Sequence, residues 1–265
     1  MREATDGEHV SGETQPSVPP FSKYVRRGAY HWLAFSRDPR NHDLLTAARY
    51  RAVLDAVRIR DGMSVLDVGS GDGALTYMLY RRNPNGQTSC VEPDLTGRAL
   101  AAEMLRRKGA SVKVLDALAL VGDGTQDVVV CADVIEHVAD ARGLLADMRR
   151  VMRPNGRLVL STPVRLTEFV QAREHVREFF PGEFSRLVGE SLCVTQHAFC
   201  TSLFALDLYY WYPRLFLRRP VFRWLMSLAN IWFGKNLLYK FNPTGKYWLT
   251  QVVVATRPLL PETPR

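Results

Sequence analysis

Short apolar runs alternate with amphipathic stretches along most of this chain. Residues 65–68 (Val-Leu-Asp-Val) make a strand-length run that breaks into Gly69-Ser70-Gly71-Asp72-Gly73, and 74–81 continue with helical composition. The unit then repeats. A strand is predicted over 87–91 and a helix over 95–108, then a short strand over 112–115. A fourth strand over 127–131 (Asp-Val-Val-Val-Cys) precedes a helix over 139–152. The turn Pro154-Asn155-Gly156 leads into a fifth strand at 157–161. Pro181 suits a first helical turn and opens a helix to 189, and strands at 192–199 and 248–256 complete the series. Near-continuous apolar strands separated by helices define an α/β fold with a mostly parallel sheet.

The turn after the first strand carries the most specific chemistry. Glycines at 69, 71 and 73 let the backbone approach a ligand with no Cβ in the way. The spacing is G-x-G-x-G, and Asp67 and Asp72 flank it. Two carboxylates would repel a pyrophosphate, so the turn does not suit a dinucleotide. A cofactor with a cationic end and a ribose fits better. Further acids stand at the ends of later strands: Glu92 before Pro93, Asp116 before Ala117, and Asp133 before Val134. Ligands in open α/β sheets bind at those carboxyl ends.

In these motifs the chain resembles the class I S-adenosylmethionine (SAM)-dependent methyltransferases, of the type that includes small-molecule and ubiquinone-biosynthesis enzymes. The resemblance rests on five motifs in order: Val65–Gly73, Glu92, Asp116-Ala117, Asp133-Val134-Ile135-Glu136-His137-Val138, and Arg153–Leu160. It covers about residues 45–200. It implies a Rossmann-like seven-stranded sheet whose last strand is antiparallel between the fifth and sixth. It also implies SAM held by Asp67, Gly69, Ser70, Gly71, Asp72, Gly73, Glu92, Pro93, Asp116, Ala117, Asp133 and Val134.

Composition narrows the setting. Residues 1–20 are polar, rich in Ser, Thr, Gly and Pro, with no apolar core. They read as a disordered tail and not as a signal peptide. Cys90, Cys131, Cys193 and Cys200 lack metal-ligand spacing, and two of them fall in core strands, which favours a reducing cytoplasm. Residues 21–60 form an expected helical cap, with a helix over 44–58. Its segment Gly28-Ala29-Tyr30-His31-Trp32 either shapes the pocket, with Tyr30 and His31 on the substrate, or simply docks the cap on the core. The core is expected over 61–200, and the final strand and tail over 246–265.

The net charge of +8 is concentrated between the last two strands. Relatives have a short hairpin there; here 201–245 intervene, with 12 aromatics and six basic residues against Asp207. A helix is predicted over 220–233, with Arg223, Ser227 and Asn230 as one narrow polar stripe. Pro213 interrupts the preceding apolar stretch, so neither half makes a transmembrane span. Basic residues beside Trp, Tyr and Phe suit an anionic membrane surface, the inner face of the cytoplasmic membrane in this reading. A lid over a hydrophobic substrate and a homodimer interface are the competing roles. Nucleic acid is the runner-up partner, but Asp133-Val134-Ile135-Glu136 stands where base N-methyltransferases carry an Asn/Asp-Pro-Pro-aromatic motif.

His137 is the candidate general base, with bracing of its loop as the alternative role. His175 and Arg177 lie in a stretch that resembles an active-site mouth, where they contact substrate or clamp the loop. The scattered histidines do not suggest a metal site. The expected activity is methyl transfer to a small or lipid-like acceptor, at oxygen first. A sugar in a polysaccharide pathway is the alternative acceptor, and a non-catalytic protein of this fold the alternative class.

Overall fold

The computed structural model describes residues 23–168, 170, 172, 174–210, 221–240 and 247–258. The expected disordered tail at 1–20 lies outside them. Seven strands form one sheet: β1 Ser64–Val68, β2 Gln87–Val91, β3 Lys113–Leu115, β4 Gln126–Ala132, β5 Met152–Pro163, β6 Cys193–Ser202 and β7 Trp248–Thr256. Their order is β3-β2-β1-β4-β5-β7-β6. β1 to β5 pair in parallel, and β7 runs antiparallel to both β5 and β6. The order reverses at β1, which places the switch-point crevice outside the carboxyl ends of β1 and β4.

Strand alternation divides the core in two. Leu66, Val129, Cys131, Leu158, Leu160 and Val253 point to one face. There they meet helices α5 (Ala141–Val151) and α6 (Pro181–Gly189). Val65, Val128, Val130, Val159 and Val252 point to the other, against α2 (Leu44–Val57) and α3 (Ala74–Arg81). Both faces are apolar because both are covered, which is why these strands read as continuous apolar runs. Helix α4 (Leu95–Arg107) packs on β2 through Ala101 and Leu105 against Cys90.

β5 begins five residues before the predicted strand and runs through the predicted turn. Asn155 adopts a left-handed φ of 60°, its N–H donates to the Arg257 carbonyl, and the register with β4 shifts between Gln126 and Val128. Pro-Asn-Gly here makes a local irregularity within a continuing strand. A neighbouring strand satisfies the backbone that a free turn would expose.

Among the described residues three helices stand between β6 and β7: α7 Leu203–Tyr210, α8 Val221–Phe233 and α9 Leu237–Lys240. Residues 211–220 and 241–246, with Pro213, Arg214, Arg218 and Arg219, lie outside the described residues. Thr201, one residue before the end of β6, and Tyr247, just before β7, both lie in the left-handed region, and Leu203 N–H donates to the Tyr247 carbonyl across that neck. The helices dock on α2. Ala205, Tyr209, Met226 and Leu238 bury against Leu44 and Ala48. Asn230 Nδ2 lies 2.7 Å from His42 Nε2, and Arg51 donates to the Gly234 carbonyl at 2.7 Å.

α8 is oriented against its composition. Its polar stripe faces protein: Ser227 is fully buried, Asn230 meets His42, and Arg223 lies 5.4 Å from the Tyr209 ring. The aromatic side faces out, with Trp232 75% and Phe233 77% exposed beside Trp224 and Leu225. No helix among the described residues is long and apolar enough to cross a membrane.

Candidate functional site

The site is built where β1 stops. Gly69, Gly71 and Gly73 all take positive φ, a region that L side chains avoid. A Cβ at Gly69 would lie 2.4 Å from the Val134 side chain, and one at Gly71 would strike the Tyr24 hydroxyl. The loop is tied down by backbone bonds: Gly69 and Ser70 N–H both donate to the Val91 carbonyl. It then delivers Asp72, fully buried, to the start of α3.

The acids occupy distinct places. Asp67 points inside the fold, 1% exposed, and accepts from Thr76 Oγ1 at 2.6 Å. Burial, with the Glu92 charge adding, pushes its carboxyl up to about 7. Glu92 closes β2 and accepts from Gly71 N–H at 2.6 Å and Asp94 N–H at 2.9 Å. Burial raises its pKa as well. Pro93 follows at the surface. Asp116 and Ala117 are exposed beyond β3, next to the Leu115 carbonyl that accepts from Glu92 N–H. Asp133 ends β4 with a φ of 55°, an uncommon conformation for a residue with a Cβ. Its N–H donates to the Ser161 carbonyl, Ser161 Oγ donates to Oδ1, and Arg49 of α2 pairs with Oδ2 at 2.9 Å.

Opposite the glycine loop stands the N-terminal segment, with α1 (Lys23–Arg27) and a 3-10 turn at Tyr30–Phe35. His31 N–H donates to Asp72 Oδ2 at 2.9 Å, and Trp32 Nε1 donates to the Asp72 carbonyl at 2.8 Å. The Tyr30 and His31 rings lie 4.0 Å apart, with Tyr24 stacked on Tyr30 at 5.9 Å. The structure thus brings Tyr30 and His31 to the glycine loop, and Trp32 docks the cap on it.

His137 closes a 3-10 turn, Ile135–His137. Its Nδ1 lies 2.7 Å from the Glu174 carbonyl, which fixes a donating Nδ1–H and leaves Nε2 as the acceptor. Burial lowers its pKa below 6.5, so the ring is neutral near pH 7. His175 packs edge-on at 4.9 Å, and its Nδ1 is 2.6 Å from the buried Glu178. Arg177 departs from this group: it pairs with Glu183 and stacks on Phe179 at 5.2 Å, clamping the loop to α6. Glu136 is buried behind His137, where its Oε2 accepts from Thr162 and burial pushes the carboxyl up to about 8. Glu136, His137 and His175 each place one potential ligand atom within 4.8 Å of the others, a convergence that their sequence spacing did not suggest.

Two residues at the site escaped sequence reasoning. Tyr24 packs on Gly71 and Gly97, and Arg49 holds Asp133. Arg49 had a usable signal: it stands beside the buried stripe Thr46, Tyr50, Val53 and Val57 of α2, where an unpaired charge would not be tolerated. A separate groove of about 500 Å³, lined by Ser64, Gln87, Lys113 and Thr125, lies at the opposite strand ends, away from this chemistry.

A glycine loop at the switch point, flanked by strand-end acids and capped by an aromatic segment, has the architecture of the class I SAM-dependent methyltransferases. Residues 66–160 match the methyltransferase domain family, and the chain carries that domain. It is 29% identical over 126 residues to a ubiquinone biosynthesis O-methyltransferase of Xanthomonas oryzae, covering 45% of this chain and 53% of that protein. The chain thus spans about half the length of this relative. Among solved structures it resembles the geranyl diphosphate C-methyltransferase of Streptomyces coelicolor in complex with geranyl diphosphate and S-adenosyl-L-homocysteine. That likeness has a TM-score of 0.59 at 15% identity, over 82% of this chain and 81% of that one. A [4+2]-cyclase is similar at a TM-score of 0.58 and 16% identity, over 81% of this chain and 82% of that one. Fold likeness at these identities extends to architecture and not to chemistry.

Proposed function

We propose that this chain transfers a methyl group from SAM to an oxygen of a small or lipid-like acceptor. The observation that carries the reading is the convergence of Glu92, Asp72 and three positive-φ glycines at the carboxyl end of β1 and β2. That cradle suits SAM. Glu92 can take ribose hydroxyls, the exposed Asp116 and Ala117 flank the adenine, and Asp72 and Asp133 face the cationic methionine end. Ser70 and Val134 line the same loop. Asp67, buried under it, holds the loop through Thr76.

The cofactor supplies an electrophilic methyl on a sulfonium, so the protein's work is alignment and exclusion of water. The cap residues Tyr24, Tyr30 and Trp32 cover the loop. His137 Nε2 takes the acceptor hydroxyl proton, with the Glu174 carbonyl fixing the ring. His175, held by Glu178, sets the wall opposite His137. Arg177 acts as a clamp.

Oxygen is favoured as the acceptor atom by the name of the Xanthomonas relative, a ubiquinone biosynthesis O-methyltransferase. The outward aromatic face of α8, flanked by Lys235 and Lys240, supports a peripheral site on an anionic membrane from which a lipid-like acceptor is drawn. The domain boundaries follow: a cap over 21–60, the SAM core over 61–200, the helical segment over 201–245 and a final strand from 246. The test is transfer of labelled methyl from SAM to a panel of free and prenylated catechols and phenols. O-methylated product is expected. Binding of S-adenosylhomocysteine with no O-methylated product would contradict the assignment.

A further inference from the structure

We propose that Glu136, His137 and His175 form a binding site for one divalent transition-metal ion of the zinc class. The site stands apart from the methyltransferase reading; only its consequence for the general base rests on that reading.

Two segments distant in sequence are joined here by backbone bonds. Val176 and Arg177 N–H donate to the Glu136 carbonyl at 2.8 and 3.1 Å, which seats His175 and its neighbours against the Ile135–His137 turn. One potential ligand atom from each of Glu136, His137 and His175 then lies within 4.8 Å of the other two. A tetrahedral zinc ion holds its nitrogen and oxygen ligands about 3.4 Å apart, so small side-chain rotations close the set. The turn follows Val134, which packs on Gly69, so the site borders the glycine loop.

The outer contacts aim the ligands. His137 Nδ1 lies 2.7 Å from the Glu174 carbonyl, and His175 Nδ1 lies 2.6 Å from Glu178 Oε1. A ring that donates Nδ1–H to a carbonyl or carboxylate keeps its lone pair on Nε2, the arrangement that stands behind metal-bound histidines. Glu136 Oε2 accepts from Thr162 Oγ1 at 2.9 Å, which fixes that carboxylate. Glu136 and Glu178 are each 1% exposed, and two carboxylates buried beside two imidazoles favour a dication. Lys23 stands near enough to His137 for its charge to oppose the ion, and the two carboxylates outweigh it. Two imidazoles with one carboxylate select zinc, cobalt or nickel over magnesium and calcium, which take oxygen ligands. Three protein ligands leave a fourth position for water.

The ion and the acceptor's proton claim the same lone pair on His137 Nε2. A bound ion therefore withdraws the base, and the site is inhibitory to methyl transfer.

The test is calorimetric titration of zinc chloride, and separately magnesium chloride, into the chelator-treated full chain. One equivalent of zinc bound with a micromolar or tighter Kd, and no binding of magnesium, is expected. Loss of a ligand costs at least as much as loss of an outer partner, so His175→Gln and Glu136→Gln should each weaken zinc binding at least ~10-fold. His197→Gln, in β6 and outside the cluster, should leave it unaltered. Thermal melts check folding; if Glu136→Gln does not fold, His175→Gln and His137→Gln decide. Folded wild type that does not bind zinc overturns the site, as do His175→Gln and His137→Gln variants that bind like wild type. Magnesium bound as tightly as zinc overturns the zinc class. Zinc that binds through these residues yet speeds methyl transfer overturns the inhibitory role alone. Failure to bind S-adenosylhomocysteine overturns the methyltransferase reading and leaves the metal site standing.

Discussion

Asp67 and Glu92 illustrate how two carboxyl groups serve different ends around one loop. Asp67 is sealed beneath the glycines, and its carboxyl titrates near 7 because burial disfavours the charge. Its pKa is higher in the folded than in the unfolded chain, so the folded state holds an extra proton between about pH 4 and 7 and loses stability as pH rises through that window. Asp67→Asn keeps an acceptor for Thr76. It should raise the melting temperature at pH 8 by several degrees and leave it nearly unchanged at pH 4. An equal shift at both pH values would contradict a buried, proton-holding Asp67. His137 has the opposite shift. Its lowered pKa keeps Nε2 able to accept a proton below pH 6.5, so the acid limb of kcat/KM should lie below that value. His137→Gln should lower kcat by about 10²–10⁴ with little change in cofactor affinity, in the range of a lost general base. A drop smaller than tenfold would assign His137 to bracing.

At the scale of elements, the αβ alternation was legible because each strand is buried on both faces and each helix on one. The predicted bounds at 87–91, 181–189 and 248–256 coincide with β2, α6 and β7. β5 was misread at its start because Pro154-Asn155-Gly156 has turn chemistry, and only pairing with its neighbours keeps it in the sheet. The site was legible where chemistry follows a strand end, as at Glu92 and Asp133. It was illegible where a helix reaches across, as with Arg49. α8 shows the limit of pattern. Its polar stripe was plain, but which side faces α2 depends on His42 and Tyr209, which are distant in sequence. An outward aromatic face marks an interaction surface, which the proposed function assigns to an anionic membrane. Trp232→Ser with Phe233→Ser should reduce co-flotation with phosphatidylglycerol vesicles by at least ~5-fold and leave S-adenosylhomocysteine affinity unchanged. Wild type that ignores such vesicles would remove the membrane from the account.

Across the whole molecule, one connection order explains why the parts meet. The reversal at β1 opens a crevice, the parallel strands deliver acids to its rim, and the N-terminal cap and α2 close it from above. The helices between β6 and β7 dock on that same α2, which thus touches both this helical segment and, through Arg49, the residue that follows β4. The central claim is that this crevice holds SAM through Glu92 and the glycine loop. Isothermal titration of S-adenosylhomocysteine into wild type and Glu92→Gln tests it most directly. One-to-one micromolar binding by wild type, weakened at least ~10-fold by Glu92→Gln in a protein that melts like wild type, is the expected result. No binding by folded wild type, or equal affinity in the two proteins, would contradict it.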